Sequence, residues 1–167
     1  QLDDDRDGQG NDCDDHFCFV VFGATDNCLD PNAAELRVYS PDLFAETGEE
    51  QTLRLFSNRH NQAMRFTWTV TKAPDGSSAS VDNPKGTVTV STMYQYHYLK
   101  DDAPIFRADL EGEYELQLSV TTIFEDAVSG LVETTSEHVV TVTATGEPVT
   151  DGGACQTVVA TDSSAGG

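Results

Sequence analysis

Positive charge is what this chain has least of. Its 167 residues include 9 Lys and Arg against 29 Asp and Glu, for a formal net charge of −20 and an isoelectric point near 4.1. Polyanions are repelled by such a field, which excludes nucleic acid and anionic membrane surfaces as partners and makes cations the natural ones. The same imbalance also serves solubility or life in a salty habitat. Long apolar runs are missing as well: the longest, Phe17 to Phe22, falls far short of the roughly 18 residues a spanning helix needs. No segment repeats its apolar residues with helical period, so helical bundles and coiled coils are excluded. No G-x-S-x-G, H-E-x-x-H or glycine-rich phosphate loop is present, and His16, His60, His97 and His138 are scattered along the chain. Carboxylate pairs carry no information in a chain this acidic, so no enzymatic activity is expected. C-x-x-C is absent and His16 has no second histidine at ligand spacing, which argues against a zinc site.

Four cysteines are present, Cys13, Cys18, Cys28 and Cys155, three of them within sixteen residues. An even number beside a carboxylate-rich stretch points to disulfides and an oxidising compartment, hence the extracellular space or the cell surface. All three complete pairings are open on sequence, and bonding Cys155 to any of the others ties the C-terminal tail to the N-terminal region. The chain starts at Gln1 rather than Met, as expected of a product from which a targeting segment has been removed.

Composition divides the chain into three parts. Residues 1–33 form an acidic, cysteine-rich extension in which the first sixteen residues hold seven aspartates and one arginine, too polar to fold around a core of their own. Residues 34–145 are a succession of short alternating segments separated by turn chemistry. Strands are expected at Leu36 to Tyr39, Thr52 to Phe56, Arg65 to Thr71, Thr87 to Ser91, Tyr94 to Leu99, Ile105 to Ala108, Tyr114 to Thr121 and His138 to Thr143, rich in β-branched and aromatic residues. Phe66, Trp68 and Val70 share one face of their strand, and threonines take the other. Residues 146–167 form a C-terminal extension, with Gly146 and Pro148 as a stop signal and one possible strand at Gln156 to Thr161. The fold class expected is all-β, an immunoglobulin-like antiparallel β-sandwich with N- and C-terminal extensions.

Three stretches sharpen that expectation: Phe66-Thr67-Trp68, then Ala73-Pro74-Asp75-Gly76-Ser77-Ser78, then Asp109-Leu110-Glu111-Gly112-Glu113-Tyr114. With them, residues 34–145 resemble bacterial PKD-like domains of the immunoglobulin-like superfamily. The resemblance implies that Trp68 fills the centre of the sandwich, that Pro74 and Gly76 turn out of its strand, and that Asp109, Gly112 and Tyr114 form a corner whose tyrosine hydroxyl returns to backbone. It implies little about function, since such modules serve as spacers, adhesive units and binding modules. The stretch from Thr87 to Asp102 is long for the pattern and carries Tyr94, Tyr96 and Tyr98. Either it is an extra sandwich strand or it exposes an aromatic surface that stacks on sugars or packs on a partner.

At the N-terminus Asp3, Asp5, Asp7, Gln9, Asn11 and Asp14 fall at positions 1, 3, 5, 7, 9 and 12 of a calcium loop, with Gly8 at position 6. A hard cation takes six to eight oxygens, and the glycine lets the chain turn sharply around it, so Ca2+ in a structural role is the expected cofactor. The segment is similar to the aspartate-rich repeats of thrombospondin type 3 and related bacterial surface proteins. Together these features point to a structural or adhesive subunit of an extracellular assembly, with copies of itself or other surface proteins as partners. A self-associating filament is one form of this, in which Phe17–Phe22 or Gln156–Thr161 completes a neighbouring sandwich by strand addition. The alternative is a carbohydrate- or protein-binding accessory module that presents Tyr94, Tyr96 and Tyr98 as a platform.

Overall fold

The computed structural model describes residues 18–23 and 28–150. Among the described residues twelve strands, numbered along the chain, build two layers. The larger layer is one sheet whose spatial order is β2 (Leu43–Glu46), β12 (Thr135–Thr145), β11 (Gly112–Thr122), β5 (Met64–Lys72) and β7 (Lys85–Val88). The other layer is assembled from shorter strands. One set runs β1 (Val38–Tyr39), β4 (Phe56–Ser57), β9 (Gln95–Tyr96), β8 (Ser91–Thr92), and the other β3 (Gln51–Thr52), β10 (Ile105–Phe106), β6 (Val81–Asp82).

Period-two alternation dictates which face is buried. Along β5 Met64, Phe66 and Trp68 point inward between Arg65, Thr67 and Thr69, and along β11 Tyr114, Leu116, Leu118 and Val120 do the same. Val140, Val142 and Ala144 of β12 complete that face. They meet Val38, Leu53, Leu55, Val81, Tyr96 and Phe106 from the opposite layer in one apolar cluster. Emptying one such position, Leu118→Ala for example, costs about 2–5 kcal/mol.

The connectivity is immunoglobulin-like. With β3 and β4 as strand B, β5 as C, β10 as E, β11 as F and β12 as G, the large sheet carries G-F-C and the back pairs B with E, while β6, on the other edge of β10, precedes β7 in the chain and so departs from a C′-then-D order. β2 takes the A′ position, parallel to β12 from Leu43 opposite Val142 to Glu46 opposite Thr145, and every other strand pair is antiparallel. The corner implied by the family resemblance is present. Tyr114 is fully buried, its hydroxyl accepts from the Leu110 N–H at 3.0 Å, and it lies 2.9 Å from the Leu110 carbonyl and 3.0 Å from Asp109 Oδ1. Gly112, at φ +139°, backs onto Pro74, where a Cβ would come within 2.7 Å of the ring.

Several expected strands differ in extent. The segment expected at Thr52 to Phe56 is split into β3 and β4 because it changes partner midway: Leu53 N–H donates to the Pro104 carbonyl, while the Leu55 carbonyl accepts from Tyr96 N–H. The strand expected from Tyr94 to Leu99 shrinks to Gln95–Tyr96, since Tyr94 belongs to a turn. β2 and β6 have no sequence counterpart among the expected strands; both are short and gain their pairing from distant partners. Hydrogen bonding to the sandwich runs past residue 145, with Val149 N–H donating to the Asp109 carbonyl at 2.8 Å.

Candidate functional site at the loop end

Sequence singled out three groups of residues, and the structure brings together only parts of them. Asp3, Asp5, Asp7, Gln9, Asn11 and Asp14 lie outside the described residues, as do Cys13 and Cys155. Cys18 and Cys28 are joined in a disulfide. Beside it, Phe19 and Leu29 exchange both backbone hydrogen bonds, at 2.7 and 2.8 Å. Val21 and Leu29 then bury against Tyr39 and Phe56, making a second, smaller apolar cluster beside the main core. Within 18–23, therefore, the pairing seen is with this chain's own Leu29.

The three tyrosines do not form a platform. Tyr96 is buried; its hydroxyl donates to the Arg59 carbonyl and accepts from Gln62 N–H, each at 2.9 Å, and burial raises its pKa. Tyr98 donates to the Leu53 carbonyl at 2.6 Å and sets its ring edge-on to Phe66, with burial pushing its pKa up. Both belong to the sandwich interior, Tyr96 within the main apolar cluster and Tyr98 packed against it. Tyr94 alone stands apart, packed between Phe19 at 5.3 Å and His60 at 4.3 Å.

What sequence reasoning missed is the loop end itself. The 58–63 connection, the β8–β9 turn, the loop over residues 123–134 and the disulfide loop gather at one end of the sandwich. Arg59 is the hub: its side chain is 1% exposed and reaches Asp126, 0% exposed, through Nε at 2.9 Å to Oδ1 and 3.1 Å to Oδ2. Its Nη2 donates to the carbonyls of Ala33 and Ala34 at 2.9 and 3.1 Å, which fastens the residues after Cys28 to the same point. Burial raises the Asp126 pKa, but the N–H groups of Ser129 and Val128 and the Arg59 guanidinium outweigh it and hold the carboxyl below its ordinary value. Gln62 ties in the 123–134 loop again, its Nε2 donating to the Glu125 carbonyl and its Oε1 accepting from the Ala127 N–H. Asn58 does the same for the N-terminal side, donating to the Asp30 and Glu35 carbonyls.

These anchored loops present apolar side chains to solvent. Phe22, Met93, Phe124, Val128, Leu131 and Val132 are all exposed on them. Between the disulfide loop and the β8–β9 turn runs a groove of about 260 Å³ lined by Phe19, Val21, Phe22, Phe56, Met93 and Gln95. Arg54 lies over the Phe22 ring at 5.3 Å. Isolated exposed apolar residues are ordinary on proteins, whereas a groove of them on braced loops is the form of a contact surface. The histidines are dispersed: His60 on Tyr94, His97 on the Thr92 hydroxyl at 2.8 Å, and His138 near the Ser40 carbonyl at 3.1 Å, its pKa lowered by burial. Among the described residues no three His, Cys, Asp or Glu side chains converge on a cation position.

No protein-family model matches this chain, and no curated relative matches it. Among solved structures it is similar to the apo-form Calx CBD1 domain, at 10% identity and TM-score 0.40, over 67% of this chain and 99% of that one. It is also similar to the ASH / PapD-like domain of human CEP192 (PapD-like domain 7), at 12% identity and TM-score 0.38, over 72% and 89% of the two chains. Likeness at this level carries nothing about ligands. Strand order, shared core and the Tyr114 corner define the class: an all-β, immunoglobulin-like sandwich.

Proposed function

We propose that this chain is a non-catalytic module of the extracellular space or cell surface, a structural or adhesive unit that docks other surface proteins through its loop end. The observation that carries the reading is the set of exposed apolar side chains on loops braced by the buried Arg59–Asp126 pair. Loops held on a rigid sandwich bind partners while the scaffold stays unchanged. The Cys18–Cys28 disulfide supports an oxidising compartment. Calcium held by Asp3, Asp5, Asp7, Gln9, Asn11 and Asp14 stiffens the N-terminal junction in this reading, on the strength of ligand spacing. Kinship with PKD-like domains is part of the same proposal, supported by the buried Trp68 and the Asp109 to Tyr114 corner.

Filament growth by strand addition is the finer form, and Gln156–Thr161 is then the donor. Phe17–Phe22 suits that role less, because Cys18 is bonded and Phe19 pairs with Leu29. A carbohydrate platform finds no support in the inward-facing Tyr96 and Tyr98. The test uses beads coated with the full chain, in millimolar calcium and in chelator, presented to each other and to purified surface and matrix proteins. Adhesion that calcium strengthens is expected. Beads inert toward every surface, with a strictly monomeric chain in sedimentation, would overturn the reading.

A further inference from the structure

The five-stranded sheet ends in two edges, β2 and β7, which differ in backbone and in charge. At β7 the residues Phe66 and Gly86 are in register, and Trp68 N–H donates to the Pro84 carbonyl. Antiparallel pairs alternate between bonded and unbonded, so the N–H and C=O groups of Lys85 and Thr87 point away from the sheet. Among the described residues nothing bonds to them. At β2 the bond from Thr47 N–H to the Thr145 carbonyl turns Ala45 toward β12 and leaves Phe44 and Glu46 facing outward. Glu46 is closed: its N–H donates to Glu49 Oε2 at 3.0 Å, and its carbonyl accepts from the Glu49 N–H at 3.1 Å. Phe44 is open, and at 81% it is the most exposed large apolar side chain among the described residues. An apolar residue with free backbone groups on a sheet edge is a template for another strand.

Charge decides which edge pairs with which. The outer face at β7 is a cleft of about 340 Å³ lined by Arg65, Thr67, Lys85, Thr87, Ser119 and Thr121, with two cations and no carboxylate. Among the described residues neither Arg65 nor Lys85 has an ion pair, and neither does Glu46 or Glu49 beside Phe44. Two β2 edges would set carboxylates together and two β7 edges would set cations together, whereas β2 against β7 joins opposite signs. Direction agrees with charge. β2 is parallel to β12, and three antiparallel steps separate β12 from β7, so a second copy alongside in the same orientation brings its β2 antiparallel to this β7. We infer that a second copy of this chain extends the sheet here, its Phe44 exchanging both backbone bonds with Thr87. In that register Glu46 of the second copy stands opposite Lys85, and its Phe44 ring lies on the outer face over Thr87, beside Arg65. Each copy then has one edge of either kind to spare, so the contact is head-to-tail and grows past a dimer. It goes beyond the loop-end reading, and it differs from donation of Gln156–Thr161 because no strand leaves its own sandwich.

Short edges make a weak contact, so sedimentation of the full chain is followed up to about 1 mM, at about 0.15 M salt. The average mass is expected to climb with concentration past that of a dimer. Phe44→Lys closes one edge and Thr87→Pro the other; neither breaks a bond inside the sheet, and melting temperatures check the folding of both. Each variant alone is expected to stay monomeric. Mixed, they should form a one-to-one dimer and nothing larger, because each supplies the edge the other lacks. Charge exchange is the second measurement, and it does not depend on the proline variant. Lys85→Glu and Glu46→Lys should each weaken association about fivefold or more, and the two in one chain should restore it. A wild-type chain that stays monomeric overturns the inference; if coated beads still adhere to other surface proteins, the adhesive reading stands. Association that Phe44→Lys leaves intact overturns it in favour of another contact, such as donation of Gln156–Thr161. A mixture that remains monomeric, or a double charge exchange that restores nothing, overturns it as well.

Discussion

At the end of the sandwich that carries Asp109, one carboxylate and a tyrosine hydroxyl close a local corner and tie it to the Ser77–Ser78 turn without a buried ion pair. Asp109 accepts from the Ser77 hydroxyl at 2.5 Å and the Ser78 N–H at 2.7 Å, and Tyr114 returns to Leu110 four residues away. At the opposite end Arg59 joins Asp126, Ala33 and Ala34, segments far apart in the chain, and does so with both charged side chains out of water. One end is a corner whose turns have every reason to stay shut. The other spends a buried ion pair on holding loops that then expose Phe124, Leu131 and Val132. A buried pair is seldom the most stable filling for its space, so its presence marks a demand for one particular loop arrangement.

The sharpest way to break this contrast is Asp126→Ala. It leaves the Arg59 guanidinium charged, buried and without its carboxylate, and a loss of about 3–5 kcal/mol is expected in urea unfolding. Arg59→Met with Asp126→Leu, which removes both charges, should recover a large part of that loss. The recovered protein should nonetheless loosen residues 123–134, seen as faster amide exchange of Val128 and Ser129, whose N–H groups bond to Asp126. If the double variant keeps those amides protected, the pair does not hold the loop.

Changes at the corner should be smaller. Tyr114→Phe strips the hydroxyl from the Leu110 N–H and carbonyl in a buried site, for an expected loss of about 1–3 kcal/mol. The corner also carries a pH signature. Burial pushes the Asp109 carboxyl upward, but hydrogen bonds from Ser77, Ser78 and Tyr114 outweigh it and bring its pKa to about 2, against an ordinary value of 3.8. A carboxyl lowered by folding contributes its full stability above its unfolded pKa and loses it as pH falls through the folded one. Stability should therefore decline between pH 3.8 and about 2, and Asp109→Asn should flatten that decline. Asp126, also lowered, should supply what slope remains. An unchanged slope in Asp109→Asn would remove the corner from the acid response.

The two ends were unequally legible in the sequence. Trp68 and the alternation around it announce a core strand, and Asp109 to Tyr114 announces its corner, because each lies within a few residues and obeys a local rule. The strand at Leu43 to Glu46 obeys none, since its pairing with β12 spans about a hundred residues. At the loop end, neither Arg59 nor Asp126 signals its partner in a chain with 29 acidic residues. Tyr94, Tyr96 and Tyr98 alternate as a shared face requires, but alternation does not say whether that face looks inward. The β8–β9 turn, with Met93 and Tyr94 both at positive φ, was hidden because type I′ turns are recognised by Asn and Gly, and this one has neither.

The smallest effect on global stability is expected from the disulfide, and it is the one that separates the loop end from the sandwich it sits on. Cys18 and Cys28 close a loop that shares a small cluster with Tyr39 and Phe56 and contributes nothing to the main core. Replacing both by serine should leave exchange at Leu116, Leu118 and Val140 within about threefold of wild type, since those amides open only with the whole fold. The loop is different. Removing a cross-link of this span frees about 2–3 kcal/mol of opening entropy in the chain-entropy account, or roughly a hundredfold in exchange rate. That acceleration should fall on the amides of Phe19 and Leu29, which bond to each other across the loop. Exchange that accelerates equally in the loop and in β11 would mean that the loop end and the sandwich unfold as one unit. The contrast between a closed corner and a separately braced loop end would then not hold.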